Sequence, residues 1–338
     1  MTKKSLTAII IGAFVFVALI VVATFFDLEI SLAIGNADSF FGQFFNVFGM
    51  AFILLLLPTA GIILYQAISV DTKYYWAIKV LFILVILGGY YYLVDSNMGR
   101  LGADIYLDEV YSAVFAIVLT VLSILATNHI DKKVMKKLVI FAIFILIAGA
   151  ISELTIKFMK HLWSRQRFRN MPEGDYSGFT QWYHPNWFGQ GHSDAVVSDF
   201  AGASDSGTYY SFPSGHAGSA ALSFMIVMLP EIFDKLKKFK IWFWVFPIIF
   251  TACTMLSRII ARAHFLSDVT FGVAVTLVVI FVTKKLVYIV DAKIKAKKDK
   301  LSVIINEEIS LENKPLASLG IINQDIKEND VIDEDKDN

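Results

Sequence analysis

The chain reads as a series of long apolar runs separated by short polar connections. The runs are Leu6–Phe26, Phe44–Ile68, Trp76–Val94, Val110–Thr127, Leu138–His161, His216–Phe233, Ile241–Leu256 and Phe265–Val287. A helix needs roughly 20 apolar residues to cross about 30 Å of hydrocarbon, and most of these runs meet that length. The pattern predicts an all-α, polytopic transmembrane bundle of about eight spans. The first run lies behind Lys3 and Lys4. It exceeds the apolar stretch of about 7–15 residues found in signal peptides, so a retained anchor is expected.

The polar connections alternate in kind. Lys73, then Lys132, Lys133, Lys136 and Lys137, then Lys235, Lys237, Lys238 and Lys240 fall in every second connection, and Lys284 and Lys285 follow the last run. The remaining connections carry Asp27, Glu29 and Asp38, or Asp95, Asp104, Asp108 and Glu109. Lysine-rich connections face the cytoplasm. The expectation is therefore a multi-pass plasma-membrane protein with both termini cytoplasmic and the long segment 162–212 outside. Lysine-rich, arginine-poor usage and the lack of organelle signals fit a bacterial membrane.

Composition agrees with this pattern and narrows the classes. Of 338 residues, 56% are hydrophobic and 18% charged, with a mean hydropathy of +0.61. A soluble domain carries about 25% charged residues. The formal net charge is zero, which argues against a nucleic-acid partner. Cys253 is the single cysteine, so an internal disulfide and a cysteine-based zinc site are excluded. Neutrality is itself a cancellation: residues 301–338 carry a net charge of −7 and the rest +7. The acidic end is expected to be a solvated, disordered tail.

Arginine is the scarce base, six against 24 lysines. Arg100, Arg165, Arg167, Arg169, Arg258 and Arg262 all fall on the expected outer side, where positive charge is normally depleted. A cluster of planar guanidinium groups there calls for an anionic ligand, and phosphate suits their forked geometry. Three segments converge on the same side. Lys160 and Arg167 close the fifth run, Ser211-Phe212-Pro213-Ser214-Gly215-His216 opens the sixth, and Ser257-Arg258 through His264 to Asp268 joins the seventh to the eighth.

Each segment has its own chemistry. Pro-Ser-Gly before an apolar run marks a helix start with Ser214 able to cap it. Free N–H groups there form an anion site, with His216 beside the anion. His264 and Asp268, four residues apart at a helix start, share one face. That carboxylate is expected to accept the His264 Nδ1 proton and leave Nε2 facing an electrophile.

Lys-x6-Arg, Pro-Ser-Gly-His and Ser-Arg-x5-His-x3-Asp, in this order, resemble the three signature motifs of the type 2 phosphatidic acid phosphatase (PAP2) superfamily. The second and third match in full. The first departs, because Phe168 stands where the family has proline after the arginine. The resemblance covers about Lys160 to Val287. It implies a six-helix PAP2-like core with two extra N-terminal spans. The expected division is 1–130 for N-terminal helices, 131–290 for the catalytic core and 291–338 for the tail.

Carried over, the resemblance implies that His264 attacks phosphorus to form a phosphohistidine, with Asp268 holding its ring. His216 protonates the leaving oxygen and then activates water. Lys160, Arg167, Ser214, Gly215 and Arg258 bind the phosphoryl oxygens. No metal or other cofactor is implied. The expected substrate is a lipid phosphate monoester or a polyprenyl (isoprenoid) pyrophosphate drawn from the membrane lipids. The rival class is a transporter or binding protein that uses the same basic pocket for an organic anion without hydrolysis.

Other residues carry weaker readings. Glu153 is costly inside a span, but Lys157 at i+4 predicts a structural ion pair. Trp163, Trp182, Tyr183, Trp187, Tyr209 and Tyr210 read as an interfacial belt. His161, His184, His192 and Asp194 lack the spacing of a metal site.

Overall fold

The computed structural model describes residues 3–102, 105–187 and 207–312, and among these it contains helices and turns but no strand. Among the described residues eight stretches are long and apolar enough to cross a membrane, and the protein is a multi-pass helical bundle. The helices are α1 (Lys3–Ile34), α2 (Phe40–Phe48), α3 (Ala51–Ala67), α4 (Tyr75–Leu101), α5 (Ile105–Thr127) and α6 (Lys132–Trp163). They continue with α7 (Gly215–Ala221), α8 (Leu229–Ile232), α9 (Trp242–Ile260) and α10 (Leu266–Glu312). A 3₁₀ segment, Leu222–Met228, joins α7 to α8, so the sixth span is helical but not uniformly α.

The surface explains the solvent. Phe14, Phe25, Trp76, Leu84, Leu154 and Val278 are each more than half exposed. In water every such side chain would cost on the order of 1–3 kcal/mol, whereas hydrocarbon accommodates them. Lipid tails are as apolar as leucine, so helices associate through close packing, small residues and interhelical hydrogen bonds. A Cβ on Gly272 of α10 would collide with the Ser214 carbonyl oxygen, and one on Gly218 with Ile156. These two glycines let α6, α7 and α10 approach closely enough to build a site. Ser152 of α6 donates to Thr276 of α10 at 2.9 Å. Ser219 of α7 accepts from the Ile53 N–H at 3.2 Å, satisfying a first-turn donor of α3 that its own N-cap, Met50, leaves open. The apolar core lies where α3, α6 and residues 222–232 meet, around Phe141, Phe144, Ile145, Leu222 and Met228.

Three features depart from the sequence reading. α1 continues past Phe26 to Ile34, with a kink at Phe26 (φ −130°, ψ 16°), so Asp27 lies inside a helix and not in a connection. The second span is interrupted at Gly49–Met50, which separates the nine-residue α2 from α3. α10 continues through Glu312, although a disordered tail was expected from residue 291. The stretch 288–312 holds neither glycine nor proline, and the first helix breaker, Pro315, follows it. The rest of the tail, 313–338, lies outside the described residues.

The chain divides into two compact units, Met1–Val287 and Tyr288–Asn338. Within the second unit, Lys295 pairs with Asp291 at 2.7 Å.

Candidate active site

Backbone pairing draws the motif segments together. The Arg167 N–H donates to the Thr208 carbonyl at 2.8 Å and the Ser211 N–H to the Arg165 carbonyl at 3.0 Å. The Arg169 N–H donates to the Arg262 carbonyl at 2.8 Å, and the Ser214 N–H to the Asp268 carbonyl at 2.9 Å. Each motif is thus tied to another by main-chain bonds that depend on no side chain.

Asp268 sits in the first turn of α10 and is fully buried. Its Oδ2 accepts from its own helix cap, the Phe265 N–H, at 2.8 Å, the acidic half of a capping box. Ser211 Oγ donates to the same oxygen at 2.5 Å, and Arg165 Nη1 donates to Oδ1 at 2.7 Å.

His264 is 1% exposed. Its Nδ1 lies 2.7 Å from the Ser211 carbonyl oxygen and 3.6 Å from Asp268 Oδ2. This corrects the expected Nδ1–carboxylate hydrogen bond. The proton goes to a backbone carbonyl, and Asp268 stands just beyond as a counter-charge. A carbonyl can only accept, so it holds the proton on Nδ1 and leaves the Nε2 lone pair free. Burial lowers the His264 pKa to about 3, Asp268 opposes the shift, and the charges of Arg167 and Lys160 add to it. His264 is therefore unprotonated at neutral pH.

Lys160, near the end of α6, donates from Nζ to the Tyr210 carbonyl at 2.8 Å. A Cβ on Gly215 would meet Lys160 Cε at 3.9 Å, so the glycine opens onto this lysine. Ser214 caps α7, its Oγ accepting from the Ala217 N–H at 3.4 Å. Arg258 closes the turn into the third motif, its carbonyl accepting from the Ala263 and His264 N–H groups at 3.1 and 3.2 Å. Its Nε, buried, has no partner among the described residues. Arg167 and Lys160 lie within electrostatic reach of His264, and Arg258 and His264 within reach of His216. All eight residues singled out in the sequence thus fall in one neighbourhood.

The six arginines, by contrast, do not share one role. Arg165 is 1% exposed and engaged by carboxylates. Arg100 donates to Ser96 on its own helix, within electrostatic reach of His216 and Arg258. Arg262 lies over the Phe168 ring at 4.3 Å. Phe168 is buried with Met171 and Phe265, so it serves as an aromatic anchor for the turn.

Four residues acquire contacts that the sequence reading did not assign. Ser211 bridges His264 and Asp268, while Asp27 and Arg165 support Asp268 from behind. Asn46 of α2 accepts from Arg258 Nη1 through Oδ1 at 3.1 Å, and its carbonyl lies 3.1 Å from His216 Nε2. An acid in an otherwise apolar stretch was the available signal for Asp27. Ending the first span at Phe26 concealed it.

The remaining expectations divide. Glu153 and Lys157 form their ion pair at 3.3 Å. Trp163 and Trp182 are internal in part: Trp163 donates to the Trp182 carbonyl at 2.6 Å and Trp182 to Thr24 at 3.0 Å. Tyr183 and Trp187 are exposed. Among the described residues no three His, Cys, Asp or Glu side chains are grouped to hold a metal. His192 and Asp194 lie outside the described residues.

A buried, neutral histidine within electrostatic reach of Lys160 and Arg167, in a multi-pass helical bundle, is an arrangement suited to an anionic group such as phosphate. Residues 137–290 match the family model of the PAP2 superfamily. That match points to phosphatase or phosphoesterase chemistry. No curated protein and no solved structure matches the chain. The match begins within α6, so α1 to α5, including Asp27 and Asn46, precede it.

Proposed function

We propose that the protein is an integral-membrane phosphatase that hydrolyses a lipid phosphate monoester or an isoprenoid pyrophosphate at the outer membrane face. The observation that carries this reading is the state of His264: buried, its Nδ1 proton committed to a carbonyl, its Nε2 lone pair free beside Lys160 and Arg167. The alternation of lysine-rich connections supports the choice of face.

In the reaction, His264 Nε2 attacks phosphorus as the bond to the leaving oxygen breaks, and His216 gives that oxygen a proton. The phosphohistidine retains its Nδ1 proton on the Ser211 carbonyl, with Asp268 balancing the ring's new positive charge. His216, now a base, takes a proton from water as the water attacks phosphorus. The N–P bond breaks, phosphate leaves and His264 returns neutral. Lys160, Arg167 and Arg258, with the Ser214–Gly215 turn, stabilise charge on the three non-reacting oxygens.

The test is phosphate release by the full chain in detergent with chelator, using dioctanoyl phosphatidic acid and farnesyl diphosphate as probes. Wild type releases phosphate from at least one probe, and His264→Ala loses about 10³-fold or more of that rate. Equal rates for the two proteins overturn the assignment. Uptake of either probe into vesicles that survives loss of both His216 and His264 favours a carrier.

A further inference from the structure

The support behind the nucleophile extends beyond the three motifs. Asp27 belongs to α1, before the family match, and Arg165 lies inside the spacer of the first motif. Arg165 Nη1 donates to Asp268 Oδ1 and to Ser267 Oγ, both at 2.7 Å, and Nη2 donates to Asp27 Oδ2 at 3.0 Å. Its Nε donates to the Thr180 carbonyl at 2.8 Å, and the Phe265 and Phe179 rings lie 4.3 and 5.2 Å from the guanidinium carbon. Asp27 accepts the Ser267 N–H at 2.9 Å and the Ser267 hydroxyl at 2.5 Å. All four residues are no more than 1% exposed.

Two carboxylates and one guanidinium in such a place are expensive. Each buried ion costs several kcal/mol in desolvation, and apolar replacements of comparable shape are often neutral or stabilising. A clamp between α1 and α10 alone would not need them. The chain of charges ends on the carboxylate that faces the His264 ring, and that gives it a purpose.

We propose that Asp27 and Arg165 are positioning residues of the reaction: the buried chain Asp27–Arg165–Asp268 fixes the orientation and charge of Asp268 and, through it, the ring of His264. The proposal rests on His264 being the nucleophile. Arg165 holds Oδ1, which stops the carboxylate from turning toward Nδ1 and competing with the Ser211 carbonyl for its proton. Asp27 secures the far side of the guanidinium and the Ser267 N–H, so the turn carrying Asp268 cannot slide. Neither residue touches the substrate.

The test compares Asp27→Asn, Arg165→Lys and the double variant Asp27→Asn/Arg165→Met, which removes one anion and one cation together. Each full-length protein is checked in detergent by gel filtration and thermal melting. Turnover of dioctanoyl phosphatidic acid and farnesyl diphosphate and the dissociation constant of orthovanadate are then measured. Vanadate, a phosphate analogue, reports the nucleophile without turnover. Expected losses in kcat are about tenfold for Asp27→Asn and about 100-fold for the double variant, with KM little changed and vanadate affinity falling in the same order. Arg165→Lys retains the charge but not the fork, and falls between them.

Folded variants with kcat and vanadate affinity near wild type overturn the proposal, whatever their melting temperature, because a clamp alone would produce that result. If the Asp27 variants do not fold, Arg165→Lys decides by the same readings. If wild type binds vanadate but hydrolyses neither probe, the phosphatase reading fails while the vanadate affinities still decide positioning. Absence of vanadate binding by wild type overturns both.

Discussion

His264 and His216 lie within electrostatic reach of each other, yet their surroundings are unlike. His264 is sealed, and its Nδ1 rests on a carbonyl whose own residue also holds Asp268. Behind Asp268 stands a second layer of fixed charge. His216 is half-buried, and the polar contact of its ring is with one residue of the short α2. Asn46 holds both His216 and Arg258, and the α2–α3 break lies just beyond it. The contrast suits the two tasks proposed for them. A nucleophile works best fixed in one tautomer before substrate arrives, because orientation established in advance lowers the barrier. An acid that becomes a base must accept two protonation states and meet a leaving group, so a looser, partly open setting suits it.

The sealed side is where substitution should cost most. Asp268→Asn removes the counter-charge and lets an amide compete for the Ser211 hydroxyl. Phosphate release is expected to fall about 100-fold or more with KM nearly unchanged, read by steady-state kinetics on either probe. Ser211→Ala keeps the carbonyl that receives the Nδ1 proton and deletes only the hydroxyl on Asp268. A smaller loss of about tenfold is expected. If Ser211→Ala cost more than Asp268→Asn, the carbonyl and carboxylate would have been assigned the wrong roles.

The pH dependence sharpens the same contrast. The folded pKa of His264, about 3, lies below its ordinary value of 6.5, so folding favours the neutral ring. Its linked stability is fully present above pH 6.5 and is lost progressively as pH falls toward 3. Between pH 5 and 8 His264 stays unprotonated, and an acid limb of kcat/KM in that window must come from another group. Nitrogen-15 spectra of histidine-labelled protein check this directly. A His264 resonance titrating near pH 6.5 would contradict the sealed site.

The open side should respond least. Asn46→Ala deletes the acceptor for Arg258 but retains the backbone carbonyl beside His216. A change of about two- to fivefold is expected, chiefly in KM, measured with the same probes. A loss as large as that of Asp268→Asn would place Asn46 among the preorganised groups and end the distinction between the two sides.

Much of this was legible in the chain for a physical reason. Hydrocarbon tolerates only helices with internally paired backbones, so apolar length alone locates spans. The eight apolar runs correspond to the eight helical stretches among the described residues and differ from them most at their ends. The motif residues announced themselves because histidine, lysine and arginine at span ends are costly and few. What stayed hidden lacked such a mark. The acceptor for His264 Nδ1 is a backbone carbonyl, which every residue possesses. Asn46 sits in a phenylalanine-rich run, and its role depends on a helix break that hydropathy smooths over. Arg165 is one of six similar arginines in the sequence, and only the fold separates the one that faces two carboxylates from the rest. The i,i+4 spacing of His264 and Asp268 correctly gave proximity and misled about the bond, since a capping interaction to the Phe265 N–H turns the carboxylate aside.

The claim that His264 is the nucleophile and His216 the acid and base is most directly tested with His216→Ala and p-nitrophenyl phosphate. Nitrophenolate leaves without a general acid, whereas hydrolysis of the phosphoenzyme still requires a base. A burst of about one nitrophenol per protein followed by a stall is expected. An acid-labile, base-stable phosphoryl label on His264, absent when His264→Ala is added, is expected with it. No burst and no label in His216→Ala while wild type turns over, or a label that survives His264→Ala, would contradict it.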